Sequence, residues 1–442
     1  MRFPTLVLRN LRRRRLASLL TGFSVSLGVG LFATVGAMRE ASEVGFQRSA
    51  SLCDMLVGAK GSGLELTLNA LYHLGQSPGN VSYEGYREIA ATPGVMWSVP
   101  LAVGDSYRGH RIVGMTSNFF EDVKLLSRGE EEPLRFAEGK GFTFTAEQFA
   151  ELKAELKEEE SHGHADHSHH HHGQDYTGLF HAVLGADAAK RTGLSVGDRF
   201  EPSHGVEGVS HSHEEGESEV VGVLARTGTP IDRAIFLPIG AYYILDGHEP
   251  VEGMVEGGAR DPRGVSGIMM RTKAGFYRTR IYRGINDRLD AMAVYPSVEV
   301  RDLFEMLDFY DTTLRWITAL IVVVALVGVM VAIYNTMGAR RREFAILRAL
   351  GARRRTILSL VTAESALLAL LGGLTGLALA GVLVYAVAGK VEQETGVSLA
   401  TSIGWSELHL LIAVTLAGAL AGLVPALSAY RTEATRALSS QS

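Results

Sequence analysis

The sequence predicts an α-helical membrane protein with four transmembrane helices and a large α+β extracytoplasmic domain inserted between helices 1 and 2. Two patterns predict this fold. A helix needs ~20 apolar residues to cross a bilayer. Uncharged stretches of at least this length occupy residues 16–38, 316–339, 365–389 and 408–430. Between the first two stretches, short apolar runs alternate with turn-forming residues, which is typical of strands.

The uncharged stretches give the bounds of the spans. We place the transmembrane helices at residues 16–38, 316–338, 357–389 and 408–430. The first stretch is longer than the ~7–15-residue apolar core of a signal peptide, so we interpret it as an uncleaved anchor.

Small residues recur four positions apart in these helices. This spacing lets the backbones of neighbouring helices approach closely. The candidate packing residues are Gly22, Gly30, Gly372, Gly376, Gly418 and Gly422. The alternative interpretation is the ordinary enrichment of glycine in membrane helices.

Arginine clusters predict the orientation in the membrane. They occur at residues 9–15, at 339–355, and at Arg431 and Arg436. Cationic loops stay in the cytoplasm, so we expect both termini on the cytoplasmic side of a bacterial inner membrane. The remaining segments are then a cytoplasmic N-terminal helix (1–15), the extracytoplasmic domain (39–315), an extracytoplasmic link (390–407) and a cytoplasmic tail (431–442).

The extracytoplasmic domain has the pattern of a mixed fold. We predict strands at 94–103, 110–115, 219–225, 234–239 and 267–272, and helices at 82–94, 277–292 and 300–316. Ser82 is a candidate N-cap of the first of these helices.

A histidine-rich insert spans about residues 146–176, where a charged helix leads into "SHGHADHSHHHHGQDY". Neutral imidazole is a good ligand for zinc, so Zn²⁺ is the candidate bound metal. The candidate ligands are His162, His164, His167, His169, His170, His171, His172, His211 and His213. Because the spacing is irregular, we expect reversible binding in several registers, and the alternative is a solvated polar loop.

Several classes of protein are excluded. No Walker A sequence is present, and "GAKGSG" at 58–63 is the nearest approximation. Within the spans only Glu364 is a charged residue at membrane depth, which gives little support to an ion pathway. HExxH is absent, and no Ser/His/Asp or paired-carboxylate pattern stands above background, so we predict no catalytic residue. We also expect no nucleic-acid partner. ATP, if it is used, is hydrolysed by another chain.

The segment at 339–356 is predicted to be a short cytoplasmic helix between the second and third spans. Apolar residues lie between arginines, and the candidate coupling residues are Glu343, Phe344, Ile346, Leu347, Leu350 and Gly351. Phe344, Leu347 and Leu350 share one helical face, which suits a groove on a soluble partner. The alternative is a basic helix lying on anionic headgroups.

Residues 335–380 closely resemble the MacB/FtsX-like permeases, the membrane subunits of type VII ABC transporters. Residues 8–30, 220–245 and 423–438 are similar to the first span, the distal outer domain and the ending of that family. The resemblance implies that 343–351 is a coupling helix against an ATPase subunit. It also implies a working unit of two permeases and two ATPases, in which ATP binds only the partner and its energy moves the outer domains.

Residues 58–81, with the histidine-rich insert, resemble a zinc-linked subgroup of these permeases. The leading hypothesis is therefore a non-catalytic permease subunit, linked to zinc handling, in contact with membrane lipids and a periplasmic metal-binding or lipoprotein partner. The alternative is a membrane-anchored extracytoplasmic metal-sensing or scaffold protein without an ATPase.

Overall fold

The computed structural model describes residues 15–127, 130–161, 178–204, 217–244, 264–349, 351–395, 397 and 405–431. The chain forms two compact units. The helical unit consists of residues 1–41, 307–390 and 399–442, and the sheet unit consists of residues 42–306 and 391–398.

The helices and strands follow in chain order. The helices are α1 (Arg15–Ala50), α2 (Gly63–Tyr72), α3 (Tyr83–Ala90), α4 (Phe119–Asp122), α5 (Ala146–Ser161), α6 (Ala186–Thr192), α7 (Ile239–Ile244), α8 (Phe276–Asn286), α9 (Pro296–Ala349), α10 (Arg354–Thr395) and α11 (Trp405–Arg431), with a 3₁₀ turn at Pro230–Arg233. The strands are β1 (Met55–Ala59), β2 (Val95–Tyr107), β3 (His110–Met115), β4 (Lys124–Ser127), β5 (Glu130–Pro133), β6 (Phe136–Gly139), β7 (His181–Leu184), β8 (Arg199–Phe200), β9 (Ser203–His204), β10 (Ser218–Leu224), β11 (Ile235–Pro238), β12 (Gly267–Thr272) and β13 (Ala291–Val294).

Four helices in the described part of the chain are long and apolar enough to cross a membrane. They are α1, α9, α10 and α11, and each contains one of the predicted spans. The prediction of a membrane protein with four apolar helices and a large domain built on a sheet is confirmed.

The structure differs from the separate helix predicted over 339–356. α9 runs without a break from Pro296 to Ala349, so these residues continue the second apolar helix. Residues 339–349 contain no proline or glycine and are rich in arginine and alanine, which favour helix. The break comes at Gly351, whose φ of +95° lies in the left-handed region that favours glycine.

The sheet unit is built on one mixed, mostly antiparallel sheet. Eleven strands belong to it, in the order β13-β1-β12-β2-β3-β11-β7-β10-β6, with β8 added beside β10 and β9 beside β2. Only the pairs β3–β11 and β7–β10 are parallel among the described strands. The hairpin β4–β5 is separate from this sheet. The bounds of β3 and β12 coincide with the predicted strands, and β2, β10 and β11 overlap theirs.

Capping interactions explain where two of the helices begin and end. Ser82 is the N-cap of α3, and its Oγ accepts a hydrogen bond from the Gly85 N–H at 3.1 Å. The predicted helix at 277–292 ends earlier, at Asn286. The Asn286 side chain donates to the Ala293 carbonyl at 3.0 Å and accepts from the Ala293 N–H at 3.2 Å. This exchange connects the end of α8 to β13, which pairs with β1.

Candidate functional site

Four of the six candidate coupling residues lie at the end of α9 in the helical unit, and Gly351 follows it. Phe344 is buried, whereas Ile346 is 52% exposed. Glu343 and Leu347 also lie on α9, and Leu350 lies outside the described residues. Among the side chains of this segment that the structure describes, Phe344 packs inwards in the helical unit and Ile346 is exposed.

A continuous apolar core holds this segment in place. Val329, Ile333, Met337 and Phe344 are buried at helical spacing along α9. They belong to one cluster with buried residues of α1, α10 and α11, among them Ile357, Leu360 and Val361. Because one core includes both the spans and Phe344, a displacement of the end of α9 disturbs the packing of the whole helical unit.

Small residues bring α1 and α10 into backbone contact. A Cβ atom added at Gly376 would lie 2.7 Å from the Ser26 carbonyl oxygen, and one added at Gly30 would lie 3.0 Å from the Gly376 carbonyl oxygen. A Cβ atom at Gly372 would lie 2.8 Å from the Val25 Cβ. Gly22 differs, since a Cβ atom there would meet nothing within 4 Å. Close packing of the two helices therefore depends on the missing side chains of Gly30, Gly372 and Gly376. Gly22 takes part in the contact only through its carbonyl oxygen.

Small residues also allow α10 and α11 to approach closely. An added Cβ atom would collide with the Ala369 side chain at Gly418, and with the Ser365 hydroxyl group at Gly422. Ser365 is fully buried and donates its hydroxyl hydrogen to the Thr362 carbonyl at 2.9 Å. The polar group is thus satisfied within its own helix, and the two helices can pack without an unpaired polar atom at this point.

An ion-pair network joins α1 to α9 within the helical unit. The Arg39 guanidinium group contacts the Asp308 carboxylate at 2.7 Å and also donates to the Asp311 carboxylate. Asp311 in turn pairs with Arg315, one turn further along α9, at 2.8 Å. Sequence analysis missed this network because the partners are far apart in the chain; the available signal was two aspartates and an arginine at i, i+3 and i+7 before a span.

Aromatic residues form a second junction between α1 and α9, which lies in the sheet unit and which we call the aromatic joint. Phe46 stacks on Tyr72 with a ring-centroid separation of 4.9 Å, and meets Phe304 edge-on at 5.8 Å. The buried Tyr72 hydroxyl group donates to the Phe46 carbonyl at 2.6 Å. Burial raises the pKa of Tyr72 far above its usual value, so the hydroxyl group remains a donor.

Two histidines of the sheet unit lie outside the predicted set, the half-buried His73 and the buried His110. His73, the C-cap residue of α2, has a left-handed backbone with φ of +56°. Burial, together with the nearby charges of Arg111 and Arg233, lowers the pKa of His73 to about 3. The His110 Nδ1 atom lies 2.8 Å from the Arg233 carbonyl oxygen, and burial lowers the pKa of this ring too. Both imidazoles are therefore neutral at physiological pH.

The nine histidines predicted to bind metal all lie outside the described residues. Within the described part of the chain, no group of three or more histidine, cysteine, aspartate or glutamate side chains could hold a metal ion. The zinc site therefore remains a prediction from sequence.

Comparisons with known proteins identify the helical unit. Residues 316–434 match the family model described as FtsX-like permease C-terminal. The pyoverdine export ATP-binding/permease protein PvdT of Pseudomonas putida is 29% identical over 234 residues, which are 50% of this chain and 33% of that protein. The chain thus spans about a third of the length of the curated relative it matches. Apolar helices of this kind carrying an FtsX-like domain define a membrane permease. The predicted resemblance to the MacB/FtsX-like permeases is confirmed, whereas these comparisons do not support the zinc-linked subgroup.

A solved structure aligns with a larger part of the chain. The periplasmic region of MacB from Actinobacillus actinomycetemcomitans aligns with a TM-score of 0.31 and 10% sequence identity. The alignment covers 57% of this chain and 92% of that one. A TM-score of this size does not establish a shared fold.

Proposed function

We propose that the chain is the permease subunit of a type VII ABC transporter, and that it relays ATP-driven motion of a separate ATPase to an extracytoplasmic domain. One observation carries the proposal. The FtsX-like domain contains most of α9, and this helix runs without a break from Pro296 in the sheet unit to Ala349 in the arginine-rich segment. A continuous helix transmits displacement because its backbone hydrogen bonds resist bending.

ATP binding is assigned to a partner. The name of PvdT includes both ATP binding and a permease, and this chain matches a third of that protein. The 442 residues contain no Walker A sequence, and we propose that the nucleotide site belongs to an ATPase partner. We propose a working unit of two ATPase subunits and two permease copies, in the inner membrane and in contact with its lipids, with both termini cytoplasmic.

Co-purification with an ATPase tests this function. Ile346→Asp and Leu347→Asp place a charge on the segment proposed to dock on the ATPase, and we expect each to lower the recovered ATPase by about tenfold, since burying an unpaired charge is costly. Thr356→Asp adds the same charge at an exposed position of α10 and is the matched control. If the wild-type chain recovers no ATPase when the two are co-expressed, the membrane-anchored sensing or scaffold protein is the better description.

Cysteine labelling tests the orientation. Cys53 is buried, and burial raises the pKa of its thiol to about 12, so it stays unreactive in the folded protein. Ser168→Cys then reports the accessibility of the histidine tract (residues 161–176), and Ile346→Cys reports that of the coupling segment (residues 343–351). A membrane-impermeant maleimide should label only the former in cells with a permeabilised outer membrane. Labelling of both positions on one face of the membrane would rule out a relay between opposite faces.

We also propose that the histidine tract binds Zn²⁺ reversibly and gives the permease its link to zinc. Seven histidines within residues 161–176 favour this proposal. Calorimetric titration of the full chain with zinc should lose most of its heat when residues 161–173 are deleted. Binding should weaken below pH ~6.5, where imidazoles take up protons. Equal zinc affinity before and after deletion would show that the tract is a solvated loop that does not bind zinc.

A further inference from the structure

The last residues of α10 belong to the sheet unit. The helix ends at Thr395, and residues 391–398 are part of the sheet unit, whereas the preceding residues of α10 are part of the helical unit. Glu392 accepts a hydrogen bond from the Arg226 guanidinium group at 2.5 Å. The Arg226 side chain is 57% exposed and the Glu392 side chain is 23% exposed. Val397, two residues beyond the helix, is fully buried.

A rigid loop presents Arg226 to this glutamate. The loop joins β10 to the 3₁₀ turn at Pro230–Arg233 and is organised by the buried carboxylate of Asp232. Asp232 accepts hydrogen bonds at 2.8 Å from the Thr227 N–H, the Thr227 hydroxyl group and the Gly228 N–H. On the other side of Arg226, the Ala225 N–H donates to the Arg135 carbonyl at 2.8 Å. The backbone is thus fixed on both sides of the arginine.

The loop is connected to the part of the sheet around β7. It lies between β10 and β11 in the chain, and both strands pair with β7. The end of the 3₁₀ turn that contains Asp232 is held by the Gly185 N–H, which donates to the Ala234 carbonyl at 2.9 Å. A force applied at Arg226 therefore reaches the two strands on either side of β7 through a loop that these hydrogen bonds hold in place.

We propose that Arg226 and Glu392 are coupling residues, which pass a movement of α10 to the sheet at the loop between β10 and β11. The inference rests on the proposed function, because it assigns residues to the route of the relayed motion. An exposed ion pair adds little to stability, and this one can break and re-form when α10 moves. Asp232 acts through Arg226 as a positioning residue.

Charge reversal in the full chain, reconstituted in lipid nanodiscs, tests the contact itself. Arg226→Glu and Glu392→Arg should each raise amide hydrogen exchange in residues 391–395 by about fivefold, a factor expected when a modest local interaction is lost. The double variant Arg226→Glu with Glu392→Arg restores a pair of opposite charges and should bring exchange back to the wild-type rate. Arg199→Glu, which breaks the exposed pair with Glu217, is the matched control and should leave these amides unchanged.

Hydrogen exchange with the ATPase partner bound tests the coupling role. In the wild-type chain, ATP should change exchange in residues 225–233. Either single reversal should remove most of that change, and the double variant should recover it. An ATP response that survives both reversals would overturn the coupling role while leaving the proposed function intact. A wild-type chain without any ATP response in the sheet unit would overturn the proposed function, and the coupling role with it.

Discussion

The sheet unit contains two contrasting junctions with apolar helices. At the aromatic joint, Phe46 of α1 packs on Tyr72 and on Phe304 of α9, and the Tyr72 hydroxyl group is buried with its acceptor. At the end of α10, the junction is an exposed ion pair between Arg226 and Glu392. Aromatic rings packed around the buried Tyr72 resist separation, whereas an exposed ion pair exchanges readily with water. The comparison indicates one permanent connection and one that can be made and broken.

Truncating the aromatic joint should give the largest effect. Phe46→Ala removes a ring packed against two others, and we expect a loss of about 3 kcal/mol in the free energy of unfolding. Thermal unfolding of the full chain, followed by fluorescence, measures this loss. Phe276→Ala, at a ring that is 72% exposed, is the control and should cost less than about 0.5 kcal/mol. Equal losses at the two positions would contradict a permanent aromatic connection.

Crowding the contact between α1 and α10 should give an intermediate effect. Gly376→Leu forces atoms into the space occupied by the Ser26 carbonyl group, and we expect a loss of about 1–3 kcal/mol, measured by thermal unfolding in detergent. Gly381→Leu serves as the control because a Cβ atom there meets nothing within 4 Å. The difference between the two losses in free energy of unfolding measures how far the stability of the helical unit depends on this contact.

Acidification should lower the stability of the sheet unit gradually. The unfolded chain binds a proton at His73 near pH 6.5, whereas the folded chain resists this until about pH 3. The unfolded state therefore holds more protons within this window, and stability falls as the pH falls. The slope is up to about 1.4 kcal/mol per pH unit for one such group. Because His73 follows Tyr72, we expect acid to loosen the aromatic joint.

The variant His73→Asn isolates this effect. Asparagine tolerates the left-handed backbone that His73 adopts, and it does not titrate. Unfolding curves collected between pH 7 and pH 4 should therefore be flatter for this variant than for the wild type. His110 is expected to retain a smaller dependence of the same sign, since burial lowers its pKa as well. A wild-type slope that His73→Asn leaves unaltered would assign the acid sensitivity to other groups.

Local patterns made much of the fold predictable. The apolar helices follow from uncharged stretches longer than a bilayer crossing requires, and β3 and β12 from short apolar runs bounded by turns. Ser82 could be identified as a cap because its hydroxyl group serves an N–H three residues away. In each case the determining residues are neighbours in the chain.

Contacts between distant residues were not predictable. The partners Arg39 and Asp311, and Arg226 and Glu392, are separated by 272 and 166 positions, and no local pattern pairs them. The turn between α8 and β13 depends on Asn286 and on the pairing of β13 with β1, so the predicted helix extended too far. The coupling segment was separated from the second span because a charge boundary resembles a helix boundary, although arginine continues a helix readily.

The length of α9 has a mechanical consequence. Its 54 residues, at ~1.5 Å rise per residue, extend over about 80 Å. A tilt of about 5° around the midpoint of a straight rod of this length carries each tip sideways by about 3.5 Å, which exceeds the reach of a hydrogen bond. Angular adjustments too small to repack a bundle core are thus sufficient to make or break polar contacts at the tips of this helix.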